Sequence, residues 1–137
     1  MQNVEAAIPD LETALKLDPQ NYYAHHNYAQ AAYLLRFDDF AIAEFTKASA
    51  LNPQGARSYL GRGWAHFNIC QMNDVAADFN QAGRLDPSLR FEVAGPQQIT
   101  QHRAECSRPP APAQTRNCPK ANIFAFSLNA RFLLESE

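Results

Sequence analysis

Apolar and polar residues along the chain form a pattern that recurs every 34 residues. The sequence Leu-Asx-Pro occurs three times in this register, beginning at Leu17, Leu51 and Leu85. Before the middle copy, apolar residues stand at positions i, i+1, i+4 and i+7 counted from Ala41, which is the spacing of one face of an α-helix. The proline ends each helix because it has no N–H and disfavours helical geometry in the residue before it. The pattern therefore predicts three helices that each end at a Leu-Asx-Pro sequence.

A further helix is predicted before each of the last two, over Tyr22 to Leu35 and over Ala56 to Ile69. Ala29 and Gly63 occupy equivalent positions in these two helices, and both residues are small. We therefore expect a neighbouring helix to approach closely at this point. Short side chains with an oxygen satisfy free N–H groups at helix starts. The predicted caps are Asn21, Asp38 or Asp39, and Asn73.

A fixed period of this length is typical of a stacked helical array. The small residue in the first helix, the Ala-Phe-Ala series in the second helix and the closing proline resemble the tetratricopeptide repeat (TPR) family, whose 34-residue repeats are helix–turn–helix units. The residues that carry the resemblance are Ala29, Ala41, Phe45, Ala48 and Pro53 in one repeat, and Gly63, Val75, Ala76, Phe79, Ala82 and Pro87 in the next. The resemblance covers about residues 4–89. It implies an all-α fold, a right-handed α-solenoid of antiparallel helix pairs, with a proline-rich C-terminal tail.

Two positions depart from the pattern of the resembled family. Arg62 stands where a bulky residue is expected, and where Tyr28 stands one repeat earlier. Pro9 lies inside the first helical pattern, and we expect it to shorten that helix from its N-terminal side.

The predicted array begins and ends with incomplete repeats. Its organisation is a half repeat at 4–21, repeats at 22–55 and 56–89, a capping helix at about 90–106, a proline-rich linker at 107–121 and an apolar segment at 122–137. Prolines at 109, 110 and 112 exclude the second helix of a further repeat. The spacing of the apolar segment favours a helix over a strand, although a short run does not decide between them.

About two and a half repeats is at or below the usual minimum of roughly three that such arrays need. Ile8, Leu11 and Leu15 have no preceding helix to cover them. Three explanations stay open: the chain is a fragment of a longer array, it associates with itself through the open end, or its tail folds back. The first two are favoured jointly.

Charge and hydropathy exclude several classes of function. The length of 137 residues is that of about one domain. The net charge of −2 provides no basic character for binding nucleic acid or an anionic membrane. No apolar run is long enough to span a bilayer, and the N-terminus does not have the basic and apolar regions of a secretory signal. A cytoplasmic protein is therefore expected, unless an upstream segment is missing.

The three cysteines are too few for a disulfide-built scaffold. Cys70 lies in a helical pattern and is predicted to be a buried or half-buried thiol. Cys106 and Cys118 flank a proline-rich stretch and would pair in an oxidising compartment. No other feature of the sequence indicates such a compartment. His102, Cys106 and Cys118 are a weak candidate zinc set, because structural zinc sites have four ligands.

No catalytic constellation is found, so neither enzymatic activity nor a cofactor is expected. His25, His26 and His66 are predicted to be packing residues in the core or at its rim. The segment 61–63 is not a phosphate loop, because the chain has no GxxxxGK[ST] motif.

In the resembled family, a concave face lined mainly by the first helix of each pair binds peptide segments. By register, the implied lining is Tyr23, His26, Gln30 and Tyr33 from one helix and Arg57, Leu60, Trp64 and Asn68 from the next. Aromatic residues and Arg are the types that anchor protein interfaces. The alternative for Tyr33 and Trp64 is packing between repeats.

One subfamily binds the acidic C-terminal tails of chaperones through a clamp of Lys, Asn and Arg. The corresponding positions in this chain hold His26, Gln30, Gly61, Phe91 and Gly95. The clamp is therefore absent, and chaperone-tail binding is not expected.

The sequence thus predicts a non-enzymatic protein–protein interaction module, an adaptor or scaffold, that binds a peptide segment in the groove. The alternative is a structural module that forms a homo-oligomer through its open N-terminal helix and its apolar C-terminus. A third, weaker hypothesis is a regulatory appendage of an enzyme on a longer chain. Neither nucleic acid nor a membrane is expected as a partner.

Overall fold

The computed structural model describes residues 3–107, and within this range the chain is a succession of helices with no β-strand. The helices are α1 (Val4–Leu17), α2 (Tyr22–Leu34), α3 (Asp38–Leu51), α4 (Ala56–Asn68), α5 (Met72–Leu85), a short 3₁₀ helix (Pro87–Phe91) and α6 (Pro96–Cys106). Each helix from α1 to α5 packs against the next one in the chain. None of them is long and apolar enough to cross a membrane. The predicted linker and apolar segment, from residue 108 onwards, lie outside the described residues.

The three Leu-Asx-Pro sequences form the same turn three times. The side-chain oxygen of Asp18, Asn52 and Asp86 accepts a hydrogen bond from the backbone N–H two residues later, at 3.1, 3.2 and 3.0 Å respectively. The Asx backbone is extended, with φ of −140°, −133° and −139°, as expected before proline. The side chain thus satisfies a backbone donor of the turn itself, and the chain reverses direction at a fixed point of each repeat.

The turns inside the repeats also recur with the period of 34 residues. Arg36 and Cys70 have positive φ values of 67° and 66°. In each turn the following N–H donates to a carbonyl five residues earlier, at 2.9 Å. This is the Schellman ending of a helix, in which the left-handed position is usually glycine. Neither position is glycine here, so both turns carry the steric cost of a side chain in the left-handed region.

Two equivalent phenylalanines form the centres of the core. Phe45 of α3 is fully buried in a cluster with alanines of α2 and α4, and Phe79 of α5 is 7% exposed in a cluster with Leu60 and Val75. A Cβ on Gly61 would lie 2.3 Å from the Phe45 ring, and one on Gly63 would lie 2.6 Å from the Phe79 ring. The absence of a side chain at these two positions of α4 therefore lets both rings approach the helix axis.

The unusual Arg62 is held by an ion pair. Its Nη2 and Nε atoms donate to the two carboxylate oxygens of Asp78 at 2.6 and 2.9 Å, and Nη1 lies 3.2 Å from the hydroxyl of Thr46. One repeat earlier, Tyr28 donates to Glu12, which is the equivalent of Thr46, at 2.9 Å. Burial raises the pKa of Tyr28, and the bond to Glu12 adds to the effect. A polar contact to the preceding helix is thus kept in both repeats, although the residue types differ.

The structure corrects the expectation for Pro9 and confirms the one for Asn21. Pro9 does not shorten α1, which runs from Val4 through the proline. The hydrogen bond lost at Pro9 leaves the carbonyl of an exposed residue, Glu5, facing water. Asn21 does cap α2, since its Oδ1 accepts from Ala24 N–H at 3.1 Å.

The other predicted caps are wrong, because α3 begins at Asp38 and α5 begins at Met72, and neither helix has a side-chain cap. Asp38 and Asp39 are therefore in the first turn of α3, and Asn73 is in the first turn of α5. The carboxylates of Asp38 and Asp39 still favour the start of α3 through the positive end of its dipole.

The expectation of a free thiol at Cys70 is wrong, although the residue is half-buried as predicted. Cys70 is not a free thiol but forms a disulfide with Cys106, with the two Cα atoms 5.7 Å apart. Cys106 is therefore not available to Cys118, which lies outside the described residues. The disulfide joins the turn after α4 to the last residue of α6. Sequence spacing gave no signal for this pair, because the two residues are brought together by the packing of α6.

The open end of the array is visible in α1, which has no buried residue. Ile8, Leu11 and Leu15 are half-buried, and Leu17 is 83% exposed. One face of α1 packs on α2 and the other has no helix against it within the described residues.

Candidate functional site

A surface depression of about 410 Å³ lies between α2 and α4. Its lining residues are His26, Gln30, Tyr33, Arg57, Leu60, Gly61, Trp64 and Glu92. We call this depression the α2–α4 groove. Six of the eight residues in the sequence-based set belong to it, and Gly61 and Glu92 were not in that set.

His26 is fixed at one side of the groove by contacts with three residues. Its Nδ1 lies 2.9 Å from the Ser58 hydroxyl of α4, and its ring stacks on Tyr22 and meets the edge of Phe45. Burial lowers the pKa of His26, and the positive charge of Arg57 lowers it further. The imidazole is therefore neutral at pH 7 and presents a polar but uncharged edge.

Trp64 is half-buried and fixed at the opposite end. Its indole Nε1–H donates to the backbone carbonyl of Glu92 at 3.0 Å, and its ring meets the edges of Phe67 and Phe79. Trp64 thus takes part in packing and also borders the groove.

Arg57 supplies the positive charge of the groove. It is exposed in the first turn of α4, seven residues before Trp64, which corresponds to about 10 Å along the helix axis. Glu92 is exposed at the Trp64 end. The groove therefore has a basic end, an apolar floor that includes Leu60, and an acidic end.

Two residues of the sequence-based set lie outside the α2–α4 groove. Tyr23 is 73% exposed and contacts the ring of Tyr22. Asn68 donates from Nδ2 to Asp38 Oδ1 at 2.8 Å, so its amide connects the end of α4 to the start of α3. Burial raises the pKa of Asp38.

Comparison with solved structures identifies the fold. The chain is similar to a structure described as the first TPR of Spaghetti (RPAP3) bound to HSP90 peptide SRMEEVD, at 23% identity and a TM-score of 0.60, with 76% of this chain and 77% of that chain covered. It is also similar to the OM64 TPR domain of Arabidopsis, at 24% identity and a TM-score of 0.62, with 77% of this chain and 81% of that chain covered. The chain has a tetratricopeptide-repeat fold. A scan against protein-family models finds no match, and neither does a search of curated proteins.

Within the TPR fold, α2–α3 and α4–α5 are the two helix pairs, and the groove lies between their first helices. Gly61 was missed because glycine has no side chain to be read as a contact residue, and it borders the groove without one. Glu92 was missed because the period of 34 residues ends before it. The indole bond to its carbonyl could not be inferred from spacing.

The buried histidines of the TPR array are packing residues, as expected. His25 is 8% exposed between Glu44 and the carbonyl of Pro19, at 2.7 and 2.9 Å. His66 is also 8% exposed and lies 2.7 Å from the side chain of Gln71. Both rings connect helix ends to the interior and do not face the groove.

Among the described residues, one cluster has the composition of a metal site. His102 and Cys106 of α6 lie beside Cys70, and one ligand atom from each falls within 4.8 Å of the others. The set weighed from the sequence contained Cys118 in place of Cys70.

Proposed function

We propose that this chain is a non-enzymatic protein–protein interaction module that binds a peptide segment in the α2–α4 groove. The observation that supports it most is the convergence of His26, Gln30, Tyr33, Arg57, Leu60 and Trp64 on one depression. These are side chains from two repeats, so their surface exists only when the repeats are stacked.

The chemistry of the groove favours a peptide with one carboxylate near an apolar or aromatic side chain. The guanidinium of Arg57 would pair with the carboxylate, since Arg binds carboxylates with two parallel hydrogen bonds. Leu60 and Trp64 would contact the apolar side chain. Tyr33 and Gln30 would hydrogen-bond the peptide backbone, and His26 accepts or donates without adding charge.

A structural neighbour whose ligand is known supports peptide binding in general. It does not support binding of the same peptide by this chain. The RPAP3 TPR is described as bound to an HSP90 peptide that ends in Glu-Val-Asp. In this chain the positions that correspond to the chaperone-tail clamp of Lys, Asn and Arg hold none of these three residue types. We therefore propose a ligand that needs one basic contact where a chaperone tail needs several.

The test is selection of peptides from a random display library by the full chain, followed by affinity measurement for the selected peptides. The proposal predicts enrichment of sequences with an acidic residue next to an apolar one. Arg57→Ala is expected to weaken binding by about tenfold, or 1.4 kcal/mol, because the charged contact is lost. Arg84→Ala is the matched control, since Arg84 is an exposed arginine of α5 outside the groove.

Failure to enrich any peptide, or equal effects of Arg57→Ala and Arg84→Ala, would contradict binding in the α2–α4 groove. Trp64→Phe is a milder probe of the other end. It keeps an aromatic ring against Phe67 and Phe79 but removes the indole donor.

The exposed apolar face of α1 favours a second candidate, self-assembly. Ile8, Leu11 and Leu15 are only half-buried on an end helix, and partly exposed apolar residues mark contact surfaces when they are contiguous. Sedimentation at two protein concentrations separates the candidates. A mass that rises with concentration and returns to the monomer in Leu11→Glu would support self-assembly, and a constant monomer mass would reject it.

A further inference from the structure

The turn after α4 and the end of α6 bring two cysteines and a histidine together. Cys70 occupies the left-handed position that ends α4, and Cys106 is the last residue of α6. His102 lies one helical turn before Cys106, so both side chains project from the same face of α6. One ligand atom from each of the three residues lies within 4.8 Å of the others.

His102 is held in place by contacts that do not involve the cysteines. Its ring is stacked on that of Phe67, with centroids 4.0 Å apart and an interplanar angle of 15°. Its Nε2 lies 2.7 Å from the backbone carbonyl of Phe67. A carbonyl can only accept, so Nε2 carries a proton, and in the neutral ring the lone pair is on Nδ1. Nδ1 also lies 3.5 Å from the partly exposed carboxylate of Glu105, a contact that metal binding would replace. Metal-binding histidines commonly donate their second N–H to a backbone carbonyl in this way, which fixes the orientation of the ring.

We propose that, when the Cys70–Cys106 disulfide is reduced, Cys70, Cys106 and His102 bind a zinc ion. Two thiolates and an imidazole are the ligand types that Zn²⁺ prefers, with Zn–S bonds of about 2.3 Å and Zn–N bonds of about 2.0 Å. Atoms bound at these lengths with tetrahedral angles are about 3.5 Å apart for S and N and about 3.8 Å apart for two S atoms. The three ligand atoms already lie within 4.8 Å of one another, so after reduction the two sulfur atoms need to separate while staying close to the imidazole.

The fourth coordination position faces solvent. An open depression of about 470 Å³ borders both cysteines and is lined by polar side chains, among them Asn73, Asp74 and Arg103. A site with three protein ligands leaves its fourth position to water or to an external ligand. The depression gives the ion a route of entry and room for that water.

The disulfide and the metal exclude each other, since both use the same two sulfur atoms. A water-soluble phosphine breaks the S–S bond, delivers its electron pair, and leaves as the phosphine oxide while water provides the oxygen and the two thiol protons. Zinc binding then releases both thiol protons to the buffer. In a reducing compartment the thiol form prevails, and in an oxidising one the disulfide does. Both the disulfide and the zinc ion would connect α6 to the turn that follows α4.

The experiment titrates metal-free full-length protein with Co²⁺, and then with Zn²⁺, after phosphine reduction and removal of excess reductant. One equivalent of Co²⁺ is expected to give thiolate-to-metal charge-transfer absorption and the visible bands of a tetrahedral ion, which Zn²⁺ then abolishes. Cys70→Ser and Cys106→Ser are expected to lose the signal, and His102→Ala to weaken Co²⁺ affinity by about tenfold or more. Circular dichroism establishes that each variant is folded.

Cys118→Ser is the matched control, and it is expected to bind as the wild type does. Untreated, disulfide-bonded protein is expected to bind no Co²⁺. Absence of one-equivalent binding by the reduced wild type would overturn the proposal, and this comparison needs no variant to fold. Binding that survives Cys70→Ser, or that disappears in Cys118→Ser, would also overturn it, because the ligand set would then be a different one.

Discussion

The Asx residue of each Leu-Asx-Pro sequence acts on both sides of the turn. Its backbone N–H completes the preceding helix by donating to a carbonyl four residues earlier, at 2.9 Å in all three copies. Its side-chain oxygen accepts a hydrogen bond from the backbone N–H two residues later. The recurrence of Asp or Asn at this position thus has a physical reason in addition to the helix-ending proline. The leucine before it varies in burial, from 83% exposed at Leu17 to half-buried at Leu85.

Removal of the Asx oxygen is expected to destabilise the array. Asn52→Ala should lower the free energy of unfolding by about 1 kcal/mol, the typical contribution of one hydrogen bond. Asn52→Asp is the control and should be close to the wild type, since Asp18 and Asp86 make the same bond. Urea denaturation measures both, and equal losses in the two variants would contradict the role of the oxygen.

Arg36 is a residue in a conformation that glycine adopts without strain. Its φ of 67° costs a non-glycine residue about 1–2 kcal/mol. Arg36→Gly and Arg36→Ala both remove the side chain, which lies 3.9 Å from Asp38. Arg36→Gly should therefore be about 1 kcal/mol more stable than Arg36→Ala in urea denaturation. Equal stabilities would show that the left-handed turn is not strained.

At the scale of the helices, α4 is the element that both halves of the core share. Phe45 packs on one side of it and Phe79 on the other, each over a glycine. The prediction of close approach at Gly63 rested on its equivalence with Ala29, and the Phe79 ring meets the helix at that point. The similar role of Gly61 was not predicted, because its equivalent one repeat earlier, Asn27, is large and exposed.

Gly63→Ala is expected to destabilise the protein even though alanine favours helices. Overpacking costs about 1–3 kcal/mol, and this exceeds the gain of about 1 kcal/mol in helix propensity. Gly83→Ala is the matched control in α5, because a Cβ there would meet Arg90 at an ordinary 3.4 Å. Thermal unfolding should show a lower Tm for Gly63→Ala and an equal or higher Tm for Gly83→Ala. A higher Tm for both would contradict the close packing at Gly63.

The junction between α3 and α4 should make stability depend on pH. Burial raises the pKa of Asp38, so the folded state holds this proton more tightly than the unfolded state. Stability from this group is therefore present at low pH and is lost as pH rises through the raised pKa. Asp38→Asn keeps an oxygen for Asn68 and removes the titration. Its stability relative to wild type should increase as the pH rises above 3.8, the ordinary pKa of Asp, towards neutral in urea denaturation, and a constant or falling difference would contradict this account.

The helical array could be predicted from the sequence because the same local rule recurs in each repeat. Ala, Phe and Pro at fixed positions determine where a helix packs and where it ends. The features that were missed depend on contacts between distant parts of the chain. Cys70 bonds to Cys106 only because α6 folds onto α4. Asn68 donates to Asp38 because the α2–α3 turn lies beside the end of α4. A periodic pattern contains no information about such single contacts.

At the scale of the whole molecule, stacking of two helix pairs creates a groove and leaves one apolar end. The groove lies between α2 and α4, and the apolar end is the outer face of α1. These two surfaces correspond to the two candidate functions, and they lie on different helices. A measurement that resolves individual residues can therefore assign a bound peptide to one of them.

The most direct test is a two-dimensional NMR titration of the isotope-labelled chain with a peptide selected by the display experiment. Trp64 is the only tryptophan, so its indole N–H gives one signal at the acidic end of the groove. Binding in the α2–α4 groove predicts that this signal and the backbone amides of His26, Gln30 and Arg57 shift together and saturate at one peptide per chain. Shifts confined to α1, with the Trp64 indole unchanged at saturation, would contradict the account.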